Sequence, residues 1–192
     1  MIDLNFEQKE IVDLIEKLSI TSKVAQKGRR FSWNRYNGNM TCNVVKDYLN
    51  RHLKGNGMEA VGPAFICGYP NEFDLLVVDA SAQPGKYTDA YHYESVYAVV
   101  ELKSHGTYSE DALRKIKEVF DDLVKQYSLK CAYIAVRESG KPKRKGTKNW
   151  VEITRNTLAP HKVFVLSDSR TKELYSNQWR EFLEFIISGK SP

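Results

Sequence analysis

Apolar residues near the start of the chain recur every three or four positions, which is the spacing of an amphipathic helix. They predict a helix over about residues 5–18 that continues weakly to Val24. The residues that form this pattern are Phe6, Ile11, Leu14, Ile15 and Leu18. Residues 27–39 have no such period, so we expect a loop there. A second helix is expected from Thr41, which is placed to cap it, to the turn at Gly55-Asn56-Gly57.

The pattern then changes to short apolar runs of the kind that form strands. Residues 58–81, divided by Gly68 and Pro70-Asn71, predict two strands joined by a tight turn, and a third strand is expected at about 95–103. A long helix should begin at Ser109, followed by strands at 131–137 and about 161–167. Trp179, Phe182, Leu183 and Ile186 predict a closing helix.

Strand, long helix and strand in succession form a crossover unit, which places the two strands parallel in one sheet. With the preceding hairpin, this predicts an α/β fold with a central mixed sheet of about five strands flanked by helices. We expect a single domain over residues 1–192. It comprises an N-terminal helix and a basic-aromatic loop (1–40), a core (41–168) and a C-terminal helix (169–192).

Composition narrows the class of protein. The chain is 42% hydrophobic, enough for a core, yet it has no run of about 18 apolar residues and its first ten residues mix Asp, Glu and Lys. We therefore expect neither a membrane span nor a signal peptide, and a cytoplasmic location. The three cysteines, Cys42, Cys67 and Cys131, lack the spacing of a zinc site or a disulfide framework, and we interpret them as buried thiols.

The formal net charge is +5, and its distribution along the chain is uneven. Residues 1–60 carry +3, residues 61–130 carry −4, and residues 131–192 carry +6. An acidic middle between basic ends suits a nuclease, which needs metal-binding carboxylates within a surface that attracts phosphate. The same pattern also suits proteins that never bind nucleic acid.

Charged residues interrupt two of the predicted strands where a core strand has no use for them. Asp74 begins one strand, and Glu101 and Lys103 share one face of the next because side chains alternate along a strand. If the strands are neighbours, Asp74 and Glu101 can converge on one Mg²⁺, with Lys103 orienting a water or stabilising negative charge. The alternative is that the carboxylates only form salt bridges with Lys103 and an arginine.

These residues, in this order of elements, resemble the PD-(D/E)xK, or restriction-endonuclease-like, superfamily and an uncharacterised bacterial branch of it. The matching positions are Asp74, Glu101 and Lys103, and the resemblance extends from about Thr41 to Val136. It implies a restriction-endonuclease-like core and a nuclease dependent on Mg²⁺, or Mn²⁺, with DNA as substrate. Asp74 and Glu101 would then be the metal ligands, and Lys103 would position or activate the nucleophile.

One position departs from the superfamily pattern. Members often carry a further Glu in the helix before the hairpin, where this chain has Asn43, with Asp47 one helical turn on. Asn43 is a weak neutral ligand, and Asp47 can substitute only in a different register. The departure motivates the alternative of a catalytically inactive module that keeps the fold and binds nucleic acid or a protein.

Basic residues outside the motif are candidates for binding nucleic acid. They lie in two stretches, Arg29 and Arg30 in the first and Lys141, Lys143, Arg144 and Lys145 in the second. For the second, an exposed solvated loop is the competing interpretation. A third hypothesis is a protein-binding module that uses the tyrosine-rich stretch 87–97. Cutting a second strand would need two active sites, so we also consider a homodimer.

Overall fold

The computed structural model describes residues 3–25, 33–86, 88–106, 109–138, 149–168 and 171–188, with side chains except at 21–25 and 33–37. Five α-helices are present in this part of the chain: α1 Leu4–Ala25, α2 Trp33–Leu53, α3 Glu110–Tyr127, α4 Trp150–Leu158 and α5 Gln178–Ile187. The strands are β1 Met58–Val61, β2 Ala64–Ile66, β3 Glu72–Phe73, β4 Leu75–Asp79, β5 Ala90–Tyr91, β6 Val96–His105, β7 Lys130–Arg137 and β8 Lys162–Val165.

Five strands form a central mixed sheet in the order β1-β4-β6-β7-β8. The pairs β1/β4 and β4/β6 are antiparallel, whereas β6/β7 and β7/β8 are parallel. The parallel pairs require crossovers, which α3 and α4 provide. The predicted α/β fold with a mixed sheet of about five strands flanked by helices is confirmed.

Each face of the central sheet contributes to a separate hydrophobic core. On one face, alternate residues of the strands pack against α1, α2 and α5. On the other, the intervening residues pack against α3, α4 and a small second sheet of order β3-β2-β5. Since both faces are covered, β7 is buried from Cys131 to Val136, as expected for a parallel strand in the middle of an α/β sheet.

Two helix boundaries follow directly from local chemistry. The Ser109 side chain accepts a hydrogen bond from the Ala112 backbone N–H, which caps α3 as the sequence predicts. After α2, a short 3₁₀ turn ends at Gly57, whose φ of 65° is the left-handed conformation that glycine adopts readily. Both boundaries confirm the expectation from the sequence.

The predicted start of the second helix is wrong. We expected a loop to residue 39 and a cap at Thr41, but α2 begins at Trp33 and Thr41 is buried inside it. Residues 33–40 include glycine and asparagines, which are weak helix formers. Met40 packs against the core on the α1 and α2 face, so tertiary packing extends the helix beyond its local preference.

The predicted hairpin over 58–81 is correct in its outer strands and wrong in its connection. β1 pairs with β4, with Met58 opposite Asp79, but no tight turn joins them. The chain between them instead leaves the central sheet and forms β2 and β3. This excursion buries Ala64, Ile66 and Phe73 against the core on the α3 face, which a tight turn would not do.

The prediction of buried thiols is confirmed for two of the three cysteines. Cys42 and Cys131 are buried as expected, whereas Cys67 is only partly buried. Burial raises the pKa of the Cys131 thiol to about 12. Among the described residues, no helix has the length and apolar character needed to cross a membrane.

Candidate functional site

Asp74 occupies a bend between β3 and β4. Its backbone carbonyl oxygen is in close contact with Cys42 of α2 and with Gly62. The Cys42 thiol of α2 donates a hydrogen bond to the Asp74 carbonyl oxygen over 3.1 Å. Gly62 lies against the same oxygen so closely that a Cβ at that position would come within 2.2 Å of it. A glycine at position 62 is therefore required for the observed path of the chain at Asp74.

Glu101 and Lys103 lie on β6, the strand next to β4 in the central sheet. Leu102, between them, is buried in the core on the α1 face. Because successive side chains of a strand point to opposite faces, Glu101 and Lys103 point to the α3 face. The sheet thereby brings Asp74, Glu101 and Lys103 together, as the sequence predicts, and we refer to these three residues as the open cluster.

One ammonium links the two carboxylates of the open cluster. Lys103 Nζ lies 3.4 Å from Asp74 Oδ2 and also forms a salt bridge with Glu101 Oε1. Asp74 Oδ2 accepts a further hydrogen bond, of 2.9 Å, from the Leu102 backbone N–H. Asp74 is thus fixed to β6 by backbone and side chain, and its carboxylate orientation does not depend on Lys103 alone.

The open cluster is partly buried, and this changes its ionisation. The side chains of Asp74, Glu101 and Lys103 are 39%, 23% and 35% exposed. Burial raises the pKa of Glu101, and the Asp74 charge adds to this effect, while Lys103 opposes it. Burial disfavours the Lys103 ammonium, but the Glu101 and Asp74 carboxylates outweigh it and raise the pKa of Lys103. Lys103 is therefore a cation at neutral pH.

A pocket opens beside Glu101, between the end of β3 and the first half of α3. Glu72 and Lys115 are on its rim, and its apolar wall consists of Phe73, Ile116, Val119 and Phe120. Glu72 is exposed as well as bordering this pocket. Lys115 escaped the sequence analysis because a lysine on an amphipathic helix normally indicates only its solvated face.

The remaining predicted residues fall into two groups. Asn43 is exposed on α2, next to Cys42, whose thiol donates to the Asp74 carbonyl oxygen. The two basic stretches, with Arg29 and Arg30 in one and Lys141, Lys143, Arg144 and Lys145 in the other, lie outside the described residues. Their role in binding nucleic acid stays a prediction.

The chemistry of the donors determines what the open cluster can hold. In the part of the chain that the structure describes, no group of three or more His, Cys, Asp and Glu side chains could hold a metal ion. Asp74 and Glu101 nevertheless provide two carboxylates on one face. Mg²⁺ prefers such hard oxygen ligands and completes its shell with waters and substrate phosphates, so the donor set fits this ion.

A second buried carboxylate lies on the other side of the central sheet. Glu7 of α1 accepts a hydrogen bond of 2.8 Å from Trp179 Nε1 and contacts His52 Nε2 at 2.6 Å, both through Oε2. Arg51 lies 3.7 Å from Oε1, and the Glu7 side chain is only 3% exposed. We refer to Glu7, Arg51, His52 and Trp179 as the closed cluster; it joins α1, α2 and α5 and was not predicted.

The chain matches no protein-family model and no curated protein.

Proposed function

We propose that the protein is a Mg²⁺-dependent nuclease that hydrolyses phosphodiester bonds of DNA. The observation that carries the proposal is the convergence of Asp74 and Glu101 on one ammonium, at a partly exposed position beside a pocket. Taking these charges partly out of water costs desolvation that an ion pair often does not recover, and their position beside a pocket leaves them accessible to a substrate.

The roles within the open cluster follow from the charges. Asp74 and Glu101 would hold the ion, and a bound Mg²⁺ supplies positive charge for the scissile phosphate and acidifies a coordinated water. Lys103, being protonated, is a hydrogen-bond donor and cannot accept a proton from the nucleophile. Its role is to orient the attacking water and to stabilise the charge that develops on the phosphate.

The order of elements also supports the resemblance to the PD-(D/E)xK superfamily. A helix, an antiparallel set of strands β1, β4 and β6, the helix α3 and the parallel strand β7 surround the open cluster in that sequence. DNA is the proposed substrate on this resemblance, and a homodimer would bring two sites to two strands. With free cysteines at three positions, we propose a cytoplasmic location.

A second function is an inactive nuclease-fold module that binds nucleic acid or a protein. It is favoured by Asn43, which stands where related nucleases carry Glu, and by the presence of only two converging carboxylates among the described residues. The Lys103 contacts would then be those of a structural ion pair, which the salt-bridge interpretation of the sequence also predicts.

The test is cleavage of supercoiled plasmid and of single-stranded DNA with Mg²⁺ or Mn²⁺, beside an EDTA control. Lys103→Ala should reduce nicking by at least about 100-fold, because it removes the donor that stabilises developing charge. Lys162→Ala, at an exposed lysine on β8, is the matched control and should cleave as the wild type does. Asp74→Asn should weaken Mg²⁺ binding measured by calorimetry.

Each outcome selects one of the two functions. Metal-dependent nicking that is lost in Lys103→Ala supports the nuclease. A wild-type protein that shifts DNA on a gel and cleaves nothing overturns the nuclease in favour of the binding module. Nicking that persists unchanged in Lys103→Ala shows that the open cluster is not the active site.

A further inference from the structure

A row of four aromatic rings extends from the pocket beside Glu101 along α3. The Phe73 and Tyr69 centroids are 5.7 Å apart, those of Tyr69 and Tyr127 are 6.4 Å apart, and those of Tyr127 and Tyr93 are 4.9 Å apart. Each ring therefore contacts the next, although the residues come from three separated parts of the sequence. We refer to these four residues as the aromatic row.

The two ends of the aromatic row lie in two different depressions of the surface. Phe73 belongs to the wall of the pocket that also contains Glu101. At the other end, Tyr93 and Tyr127 line a second pocket with Tyr97 and Ser128, beside the C-terminus of α3. The aromatic row thus connects the open cluster with a groove at the far end of the same helix.

Exposure increases along the aromatic row away from the open cluster. Phe73 is buried, Tyr69 and Tyr127 are half-buried, and Tyr93 is 42% exposed. Burial, together with a hydrogen bond to Asp122, raises the pKa of Tyr69 to about 12, so its ring carries no charge at neutral pH. Packing of the small sheet against α3 accounts for Phe73 and Tyr69, but not for an exposed ring at Tyr93.

Charges of both signs surround the aromatic row. Glu72 and Lys115 line the pocket at Phe73, Glu94 and Lys130 line the pocket at Tyr93, and Asp122 neighbours Tyr69. A duplex keeps its bases stacked inside, where they cannot reach a ring on the protein surface. Neutral ring faces instead suit bases that are not paired, because every base can stack on an aromatic ring.

We propose that the accessible part of the aromatic row, the exposed Tyr93 with the half-buried Tyr127 and Tyr69, is a stacking surface for the unpaired bases of a single nucleic-acid strand whose backbone passes the open cluster. The inference rests on the proposed function and adds to it the substrate form, single-stranded or locally unpaired nucleic acid. The phosphates meet the lysines along this path, which are Lys130 beside Tyr93, Lys115 in the pocket beside Glu101, and Lys103 of the open cluster.

The experiment measures binding without cleavage. A fluorescently labelled oligothymidylate, and a hairpin duplex whose loop is a non-nucleotide linker so that it contains no unpaired base, are titrated with protein in EDTA at several salt concentrations. Tyr93→Ala should bind the single strand about tenfold more weakly, since one base–aromatic stacking contact is lost. The dependence of affinity on salt should be unchanged, because no phosphate contact is removed. Binding of the hairpin should be the same as for wild type.

Two variants control for loss of structure and loss of aromatic surface in general. Tyr93→Phe keeps the ring and should bind as wild type does, and Phe6→Ala removes an exposed ring on α1, which is not part of the aromatic row. Thermal unfolding of Tyr93→Ala should match that of wild type. Unchanged single-strand affinity in Tyr93→Ala, or an equal loss of affinity for the hairpin, would overturn the stacking surface.

The outcome is separable from that of the nuclease test. Single-strand binding that depends on Tyr93, in a protein that cleaves nothing with Mg²⁺, keeps the stacking surface and overturns the nuclease. Cleavage that depends on Lys103, with binding independent of Tyr93, keeps the nuclease and overturns the stacking surface.

Discussion

The closed and open clusters both pair a carboxylate with a cation, yet they differ in almost every other respect. Glu7 of the closed cluster is 3% exposed and has N–H partners from α2 and α5. Glu101 of the open cluster is 23% exposed, has an ammonium as its partner and borders a pocket. The first joins three helices over the core, whereas the second stands where two strands meet solvent.

From this difference we interpret Glu7 as a structural charge and propose a functional role for Glu101. A buried carboxylate that receives directional hydrogen bonds costs little and positions the elements that supply the donors. A carboxylate whose pKa is raised by burial and by a second carboxylate is less stable in its charged form than it would be in water. Such a site gains by binding a cation, which is the basis of the proposed function.

The first and largest predicted effect comes from Gly62→Ala, which disturbs the backbone that positions Asp74 in the open cluster. The added Cβ would lie 2.2 Å from the Asp74 carbonyl oxygen, so the backbone must shift. We expect the free energy of unfolding to fall by about 2–3 kcal/mol. The rate of metal-dependent cleavage should fall as well. Denaturant unfolding and the plasmid assay measure the two effects.

Gly55→Ala is the control for that substitution, since a Cβ at Gly55 meets nothing within 4 Å. Its unfolding midpoint should remain close to that of wild type. If Gly62→Ala also unfolds at the wild-type denaturant concentration, then Gly62 does not pack tightly against the Asp74 carbonyl oxygen, and other contacts position the open cluster.

The second test removes charge from the closed cluster. Glu7→Gln replaces two hydrogen bonds to a carboxylate with weaker bonds to a neutral amide, at a side chain that is only 3% exposed. We expect a loss of about 2 kcal/mol in the free energy of unfolding, measured with denaturant at pH 7. Glu118→Gln, at an exposed position on α3, should change it by less than about 0.5 kcal/mol. Equal effects of the two substitutions would contradict a structural role for Glu7.

The third and smallest effect comes from Glu101→Gln, which is the corresponding substitution in the open cluster. Glu101 has a raised pKa when folded, so it contributes stability that is complete below its ordinary value of 4.5 and lost as the pH rises through the folded pKa. Glu101→Gln removes the ionisable group, and with it the stability that the wild type loses when Glu101 ionises. We therefore expect the variant to be more stable than wild type at pH 7, by about 1 kcal/mol or less.

The pH dependence provides the check on this third prediction. The gain from Glu101→Gln should disappear as the pH falls below 4.5, where wild-type Glu101 is protonated in the folded and unfolded states alike. Lys103 does not interfere, because its pKa is raised and it stays charged throughout this range. A variant less stable than wild type at pH 7 would mean that Glu101, like Glu7, has a structural role.

Much of the fold could be predicted from the sequence because the relevant signals are local. The period of apolar residues in α3, the Ser109 cap and the buried run of β7 each depend on residues close together in the chain. The start of α2 could not be predicted in this way. Its weak helix formers are held by packing against residues far away in sequence, for which no local pattern exists.

The same distinction applies to the candidate functional residues. Asp74, Glu101 and Lys103 could be found because a charge inside an apolar strand is a local anomaly. The aromatic row could not. Tyr93 lies in the tyrosine-rich stretch 87–97, but no local pattern joins it to Tyr69, Phe73 and Tyr127, which it meets only when the small sheet packs against α3. Glu7, on an amphipathic helix, gave no sign of its partners His52 and Trp179.

The sequence by itself determined the α/β class, the positions of most helices and of the five strands of the central sheet, and which charged residues interrupt strands, because each depends on the periodicity and chemistry of neighbouring residues. Only the tertiary structure decided which carboxylate is closed off and which is open, and which rings touch. These depend on contacts between segments that are distant in the chain, and their geometry is set by how the sheet, its crossovers and the small second sheet pack together.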